Sequence, residues 1–284
     1  MSVLTGIRAL LRPTAYVDAF LEGVSLLGRH RKLMIAMVRR ELALRHVNQM
    51  MGSFWIIGHP LFLMALFVFL FGVVFNPKVG DTYELPRDYT VYILSGLVPW
   101  LALIPALTAS CSSVVGNAAL VKQFVFHLEI LPAKDVLTAS VVWVVGIAVI
   151  TLYTLLEYHS LPWTYLLLPF AAMVHLLAVV GLAFLFSALT VFFRDIQDFV
   201  TVFANVGVYI VPVTYLPQWV PAMFRPVLYL NPFSYLIWMY QDVLYFGRIE
   251  HPGAWLVSTA GSVLVFAFGY RVFRRLKPMF GNAL

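Results

Sequence analysis

FWIIGHPLFLMALFVFLFGVVF, residues 54–75, is a run of 22 residues without Asp, Glu, Lys or Arg. A helix needs about 20 consecutive apolar residues to cross the hydrocarbon core of a bilayer. This run is therefore long enough to span a membrane as one helix. Five further runs without charged residues follow along the chain, near residues 90–116, 136–156, 162–192, 199–215 and 254–270.

The composition agrees with a chain that lies mostly in lipid. Hydrophobic residues make up 62%, charged residues 11%, and the mean hydropathy is +0.88, well outside the range of soluble globular domains. We predict an all-α polytopic membrane protein with six transmembrane helices. The lone Cys111 excludes a disulfide or a thiolate metal cluster within one chain, and we expect no metal site.

The basic residues indicate the orientation. Fifteen of the nineteen lie in residues 1–53, 117–135, at Arg194 and in 271–277. Because Lys and Arg are enriched in cytoplasmic loops, this bias predicts cytoplasmic N- and C-termini. Since these residues are concentrated at the two ends of the chain and are not spread over a surface, we expect contact with membrane lipids and not with nucleic acid. The predicted parts are a cytoplasmic segment 1–53, a transmembrane domain 54–273 and a cytoplasmic tail 274–284.

Prolines are concentrated between the fifth and sixth predicted spans, with six of the sixteen in residues 212–252. Such a stretch cannot form one straight helix. It predicts a re-entrant pair of short helices, which a membrane tolerates only where the broken backbone is buried in protein or faces water. Asn231 and Pro232 would separate the two helices, with Tyr229 and Tyr235 near the outer exit.

Two amphipathic segments are predicted on the cytoplasmic face, at 31–46 and 117–132. The chain carries no apparent motor of its own. Its thirteen acidic residues all fall outside the predicted spans, which disfavours ion coupling. It also contains no G-x-x-x-x-G-K-[ST] loop for ATP phosphates. If the protein pumps a substrate, its motor is a separate chain.

Several segments, in order, resemble the ABC-2-type permeases that export polysaccharides. They are RRELALRHVNQMMGSFWIIGHPLFLMALFVFLFGVVF (39–75), YILSGLVPW (92–100), LVKQFVFHLEILP (120–132), VFFRDIQDF (191–199) and VPVTYLP…VP…LNPFSYLI (211–237). The resemblance implies a homodimer in the bacterial inner membrane, paired with two copies of an ABC nucleotide-binding subunit that binds ATP and Mg. It implies export of a lipid-linked O-antigen, capsule or teichoic-type polymer, with no cofactor in this chain.

The resemblance also assigns roles to residues. The segment that couples to the ATPase would be Lys122, Gln123, Phe124, Val125 and Phe126, and the interface helix would present Arg39, Arg40, Glu41 and Arg45. The family commonly has proline where this chain has His127, so the coupling segment can bend differently here.

Aromatic residues at helical spacing are candidates for a channel lining, because sugar C–H groups pack on rings without a fixed hydrogen-bond register. Such stripes can equally face lipid or a neighbouring helix. Arg194 and Asp195 predict a tight turn, with an ion pair, or a contact with the ATPase or lipid. The channel candidates are Phe67, Phe71, Phe75, Trp100, Phe199 and Phe203.

Other functions fit less well. An ABC-2 exporter of a drug or simple lipid shares the architecture. A polytopic acyl- or glycosyl-transferase would use His59, His175 or Asp88 as its base, but these are scattered along the chain. A membrane-anchored scaffold is the remaining alternative.

Overall fold

The computed structural model describes residues 14–44, 52, 54–75, 86–123 and 127–284, and within these ranges it contains helices and turns but no strand. The helices are α1 Thr14–Arg29, α2 Arg31–Leu44, α3 Phe54–Phe67, α4 Tyr89–Ser113, α5 Ala118–Gln123, α6 Ile130–Tyr158, α7 Leu168–Thr190, α8 Asp195–Gly207, α9 Arg225–Leu230, α10 Pro232–Gln241, α11 Pro252–Leu276 and α12 Phe280–Ala283. Two of them continue as π-helix, α3 through Val68–Val74 and α10 through Asp242–Phe246.

Five helical segments in the described ranges are long and apolar enough to cross a membrane. They match five of the six predicted spans and run over Phe54–Val74, Tyr89–Ser113, Ile130–Tyr158, Trp163–Thr190 and Pro252–Ala283. The run at 199–215 forms only α8, a helix of 13 residues, followed by turns. At 1.5 Å per residue α8 is about 20 Å long, so a sixth span stays a prediction.

Helix α4 lies at the centre of the bundle and packs against α6, α7, α8 and α10. The Asp88 carboxylate caps its first turn by accepting the Val91 amide at 3.4 Å. Pro99 and Pro105 interrupt the backbone hydrogen bonds of this helix. Its buried position keeps the freed backbone groups away from lipid.

Helices α7 and α11 cross closely enough that only glycine fits at the contact. A β-carbon on Gly181 would lie 2.5 Å from the Phe266 backbone nitrogen, and one on Gly269 would overlap the Gly181 carbonyl oxygen. Small residues allow such close backbone approach in membrane bundles, where van der Waals packing drives association.

Alanine at either contact glycine should separate α7 from α11, because the obstacle is backbone and cannot rotate away. We expect Gly181→Ala and Gly269→Ala to lower the unfolding temperature in mild detergent by several degrees. Gly261→Ala is the matched control on α11, since a β-carbon there meets nothing within 4 Å. Equal unfolding temperatures for all three variants would show that the crossing is not tight.

Candidate functional site

One end of the bundle carries most of the basic side chains of the described helices and is called the basic end. It contains Lys134 at the start of α6, and Arg271, Arg274, Arg275 and Lys277 at the end of α11. The predicted tail 274–284 is folded here. Helix α11 continues to Leu276, and the fully buried Phe280 packs on Phe273 at 5.4 Å between ring centroids.

The described start of the predicted coupling segment, Lys122, lies on α5, which packs against α12 at the basic end. Lys122 is exposed at the end of α5, whereas the Gln123 side chain and Phe124, Val125 and Phe126 lie outside the described residues. The residues that directly follow, from His127 onward, make defined contacts. The His127 ring packs on His30 with centroids 4.6 Å apart, and both oxygens of the buried Glu129 carboxylate accept hydrogen bonds from Lys277 Nζ at 2.9 Å.

The predicted interface helix corresponds to α2, which packs on α6. Arg39 and Arg40 are exposed on it, while Arg45 lies outside the described residues. Glu41 forms an ion pair with Lys134 of α6 at 2.5 Å, and Lys134 also pairs with Asp135. These charges tie α2 to the membrane helices.

Helix α1 is a feature that the sequence analysis did not predict. It packs along α11, with Phe20 edge-on to Phe266 at 5.6 Å and Arg271 over the Tyr16 ring at 5.0 Å. Glu22 forms an ion pair with Arg274. The signal was present in the helical spacing of Val17, Leu21 and Val24, which form its exposed apolar face.

A cavity of about 660 Å³ opens between α3, α4 and α6, with single residues of α2 and α8 at its rim. It was not predicted, because its wall comes from helices far apart in sequence. Among the described lining residues, His59, Thr138 and Asn205 have polar side chains, and none is Asp, Glu, Lys or Arg. The others are Leu42, Trp55, Ile56, Pro60, Leu63, Leu101, Ile104, Pro105, Val141 and Val142.

The predicted channel aromatics form two groups. Along α3 and the π-helix that continues it, Phe67 stacks on Phe71 and Phe71 packs at a tilt on Phe75, with ring centroids 5.8 and 5.5 Å apart, so the three share a face as predicted. The ring centroid of Phe203 lies 5.9 Å from that of the buried Trp100. Trp100 thus packs within the subunit, whereas Phe199 is 68% exposed. A channel role for either group stays a prediction.

The turn at Arg194 and Asp195 is formed by backbone hydrogen bonds. The Gln197 amide donates to the Arg194 carbonyl at 3.0 Å, and Asp195 lies in the first turn of α8, where a negative charge suits the helix dipole. Within the described residues, the two side chains form no ion pair with each other, so this part of the prediction is wrong.

The short helices between α8 and α11 meet as predicted. Asn231 separates α9 from α10 and caps α10 by accepting the Phe233 amide at 3.0 Å, with Pro232 in the first turn. The Tyr235 hydroxyl donates to the Tyr229 carbonyl at 2.6 Å. Whether this pair re-enters the membrane stays a prediction.

The end of the bundle opposite the basic end holds polar networks. Asp88 accepts hydrogen bonds from the Tyr153 hydroxyl at 2.7 Å and the Tyr158 hydroxyl at 3.0 Å. Arg87 donates to the Tyr245 carbonyl, and the Tyr245 hydroxyl donates back to the Arg87 carbonyl at 3.2 Å. Burial, with a smaller effect of the Asp88 charge, raises the pKa of Tyr245, so this phenol remains a donor.

The candidate bases of the enzyme alternative are not brought together. His59 lines the 660 Å³ cavity, and His175 lies edge-on to Tyr240 at 5.7 Å. Asp88 contacts tyrosines. Among the described histidines, it is His251 that contacts a carboxylate, with Nδ1 at 2.8 Å from Asp242.

A family model described as "ABC-2 type transporter" matches residues 32–245. The chain belongs to the ABC-2 type transporter family. It is therefore a multi-pass membrane subunit of a transporter, and the family implies a partner ATPase. It is also similar to two proteins described as "O-antigen export system permease protein RfbA". The one from Klebsiella pneumoniae is 26% identical over 91% of this chain and 97% of that protein, and the one from Myxococcus xanthus is 23% identical over the same shares.

The Glu129–Lys277 pair should stabilise the chain after the coupling segment. Lys277→Met leaves a carboxylate with a side chain only 3% exposed without its partner. We expect the unfolding temperature to fall by about 5 °C, and Glu129→Gln in the same chain should restore part of it. Lys32→Met, at an exposed lysine of α2, is the control and should change little.

Proposed function

We propose that this chain is the permease subunit that exports a lipid-linked polysaccharide, of the O-antigen or capsule type, across the bacterial inner membrane. The similarity over nearly the full length of two O-antigen export permeases carries the proposal. The working unit would contain two copies of this chain and two copies of an ATPase that binds ATP and Mg. This chain would bind no cofactor itself.

The charge distribution supports cytoplasmic termini. Lys134 and the cluster from Arg271 to Lys277 lie at the basic end, where the described part of the N-terminal region also packs through α1 and α2. By the positive-inside rule this end faces the cytoplasm. Six spans would then require the short α8 and the turns after it to complete the fifth crossing.

The 660 Å³ cavity supports a long, mostly apolar substrate. It opens between α3, α4 and α6 near the proposed cytoplasmic half, where α2 contributes Leu42. An apolar lining with few polar groups holds a chain without fixing its register. We propose that lipid-linked substrate passes this cavity, and that the exposed Arg39 and Arg40 attract its phosphate.

The exposed Lys122 should contact the ATPase. We expect Lys122→Glu to reduce ATPase recovery and ATP hydrolysis when tagged chain is purified in mild detergent. Arg225→Glu is the control, because Arg225 is an exposed basic residue on α9, at the end of the bundle opposite the basic end. Recovery of no ATPase with the unmodified chain would refute the transporter assembly.

Filling the cavity should stop export without stopping ATP hydrolysis. Val142→Trp places a large ring in the lining of the cavity. Val144→Trp is the control, because Val144 lies two residues further along α6, is 57% exposed and is not among the residues that line this cavity. We expect the first to reduce surface polysaccharide at least tenfold by immunoblotting, with lipid-linked polymer accumulating inside. Altered drug resistance with normal polysaccharide in both strains would favour the drug-exporter alternative.

A further inference from the structure

A second, smaller cavity lies at the end of the bundle opposite the basic end. Its volume is about 110 Å³, and its described lining comes from α4, α10, the π-helix after α10, the 3-10 helix Pro217–Trp219 with its flank, and residues before α4 and before α11. A water molecule occupies about 30 Å³ in the liquid. The cavity therefore has room for about four waters or for one edge of a sugar ring.

Two buried polar atoms of residues that line this cavity have no hydrogen-bond partner among the described residues. They are Nε1 of Trp238, whose side chain is 2% exposed, and Oε1 of Gln241, whose side chain is 1% exposed. The first can only donate and the second can only accept. Leaving both unpaired is costly, so we expect each to pair with a group inside the cavity, either water or a hydroxyl group of a ligand that displaces it.

The surrounding contacts hold these two side chains in place. The Gln241 amide donates from Nε2 to the Pro212 carbonyl at 2.7 Å, which fixes where Oε1 lies. The Trp238 ring stacks on His251 with centroids 5.5 Å apart. Because the Asp242 carboxylate can only accept, His251 Nδ1 donates to it at 2.8 Å. This leaves Nε2 of His251 as the ring nitrogen available to a ligand.

The rim of the cavity adds charged and aromatic groups. Arg248 and Glu250 line it and pair with each other at 2.7 Å. Tyr229 is 51% exposed, and its ring centroid lies 5.3 Å from that of Trp238, so it presents an aromatic ring beside the cavity. Hydroxyl partners in the cavity and an aromatic face at its edge are the two features that sugars use in proteins.

We propose that this cavity is a carbohydrate subsite, in which Trp238 Nε1 donates to, and Gln241 Oε1 accepts from, hydroxyl groups of one sugar unit. The inference rests on the proposed function and on its orientation, which place the cavity on the outer face. A polymer leaving the membrane would then meet a site that engages its sugars. Contact with one sugar unit at a time would slow the polymer between ATP-driven steps, while ATP hydrolysis would supply the direction.

The test is saturation-transfer NMR on the chain with its ATPase in lipid nanodiscs. The probes are methyl glycosides of mannose, galactose and rhamnose, and 1,2-propanediol is the acyclic hydroxyl control. We expect transfer to at least one glycoside and none to the diol. Trp238→Phe, which removes one donor and keeps an aromatic ring, should weaken glycoside binding about tenfold.

Trp163→Phe is the matched control, because Trp163 is 59% exposed and is not part of the cavity lining. If Trp238→Phe unfolds, Arg248→Ala at the rim decides instead, with an expected loss of about threefold. The subsite is refuted if no glycoside receives transfer, if the diol receives as much, or if the Trp238 and Trp163 variants behave alike. The proposed function is tested separately: if cells that lack this chain retain lipid-linked polymer inside, the export function holds even where the subsite is refuted.

Discussion

Backbone carbonyls cannot be left unpaired in lipid, and this constraint explains the central part of the structure. Residues 208–216 follow α8 as turns, so their carbonyls are not paired as in a regular helix. Side chains of the central helices supply donors instead. The Tyr92 hydroxyl donates to the Tyr215 carbonyl at 2.9 Å, Gln241 donates to the Pro212 carbonyl, and Tyr89 donates to the Thr214 carbonyl. A carbonyl of the π-helix after α10 also accepts a side-chain hydrogen bond, since the Thr164 hydroxyl donates to the Val243 carbonyl at 2.7 Å. The broken backbone is therefore stable only while α4 and α10 lie beside it.

Features with a local signal could be predicted from the sequence. The run that starts at Phe54 was long and uncharged, and it forms a helical segment through Val74. Asn231 before Pro232 is a strong helix start, and Asn231 caps α10. The run at 199–215 was predicted as a span in the same way, but it forms only α8 and turns, because the absence of charge does not distinguish a long helix from apolar turns. Helix α1 was missed, since the charges of Asp18 and Glu22 interrupt its apolar pattern. The Glu22 charge finds its partner only in the fold, as the Glu22–Arg274 pair shows.

The candidate site depends more on contacts between distant residues, which a single sequence does not show. Glu129 and Lys277 are 148 positions apart, and neither residue has a local pattern that points to the other. The 660 Å³ cavity combines residues from five helices. Aromatic spacing correctly placed Phe67, Phe71 and Phe75 on one face. It could not show that Trp100 would be buried against Phe203, because spacing along one helix does not reveal which neighbour covers it.

If the predicted coupling segment receives a force from the ATPase, the contacts at the basic end show how that force would reach the membrane helices. Directly after the segment, His127 contacts the corner between α1 and α2, and Glu129 binds the end of α11. One turn further on, Lys134 of α6 pairs with Glu41 of α2. Helices α1, α2, α6 and α11 are therefore linked to the same short stretch of chain. Because close-packed helices shift as units and do not deform continuously, pressure from an ATPase on this stretch would move them together. Helices α2 and α6 both line the 660 Å³ cavity, so the same movement would change the width of the proposed substrate path.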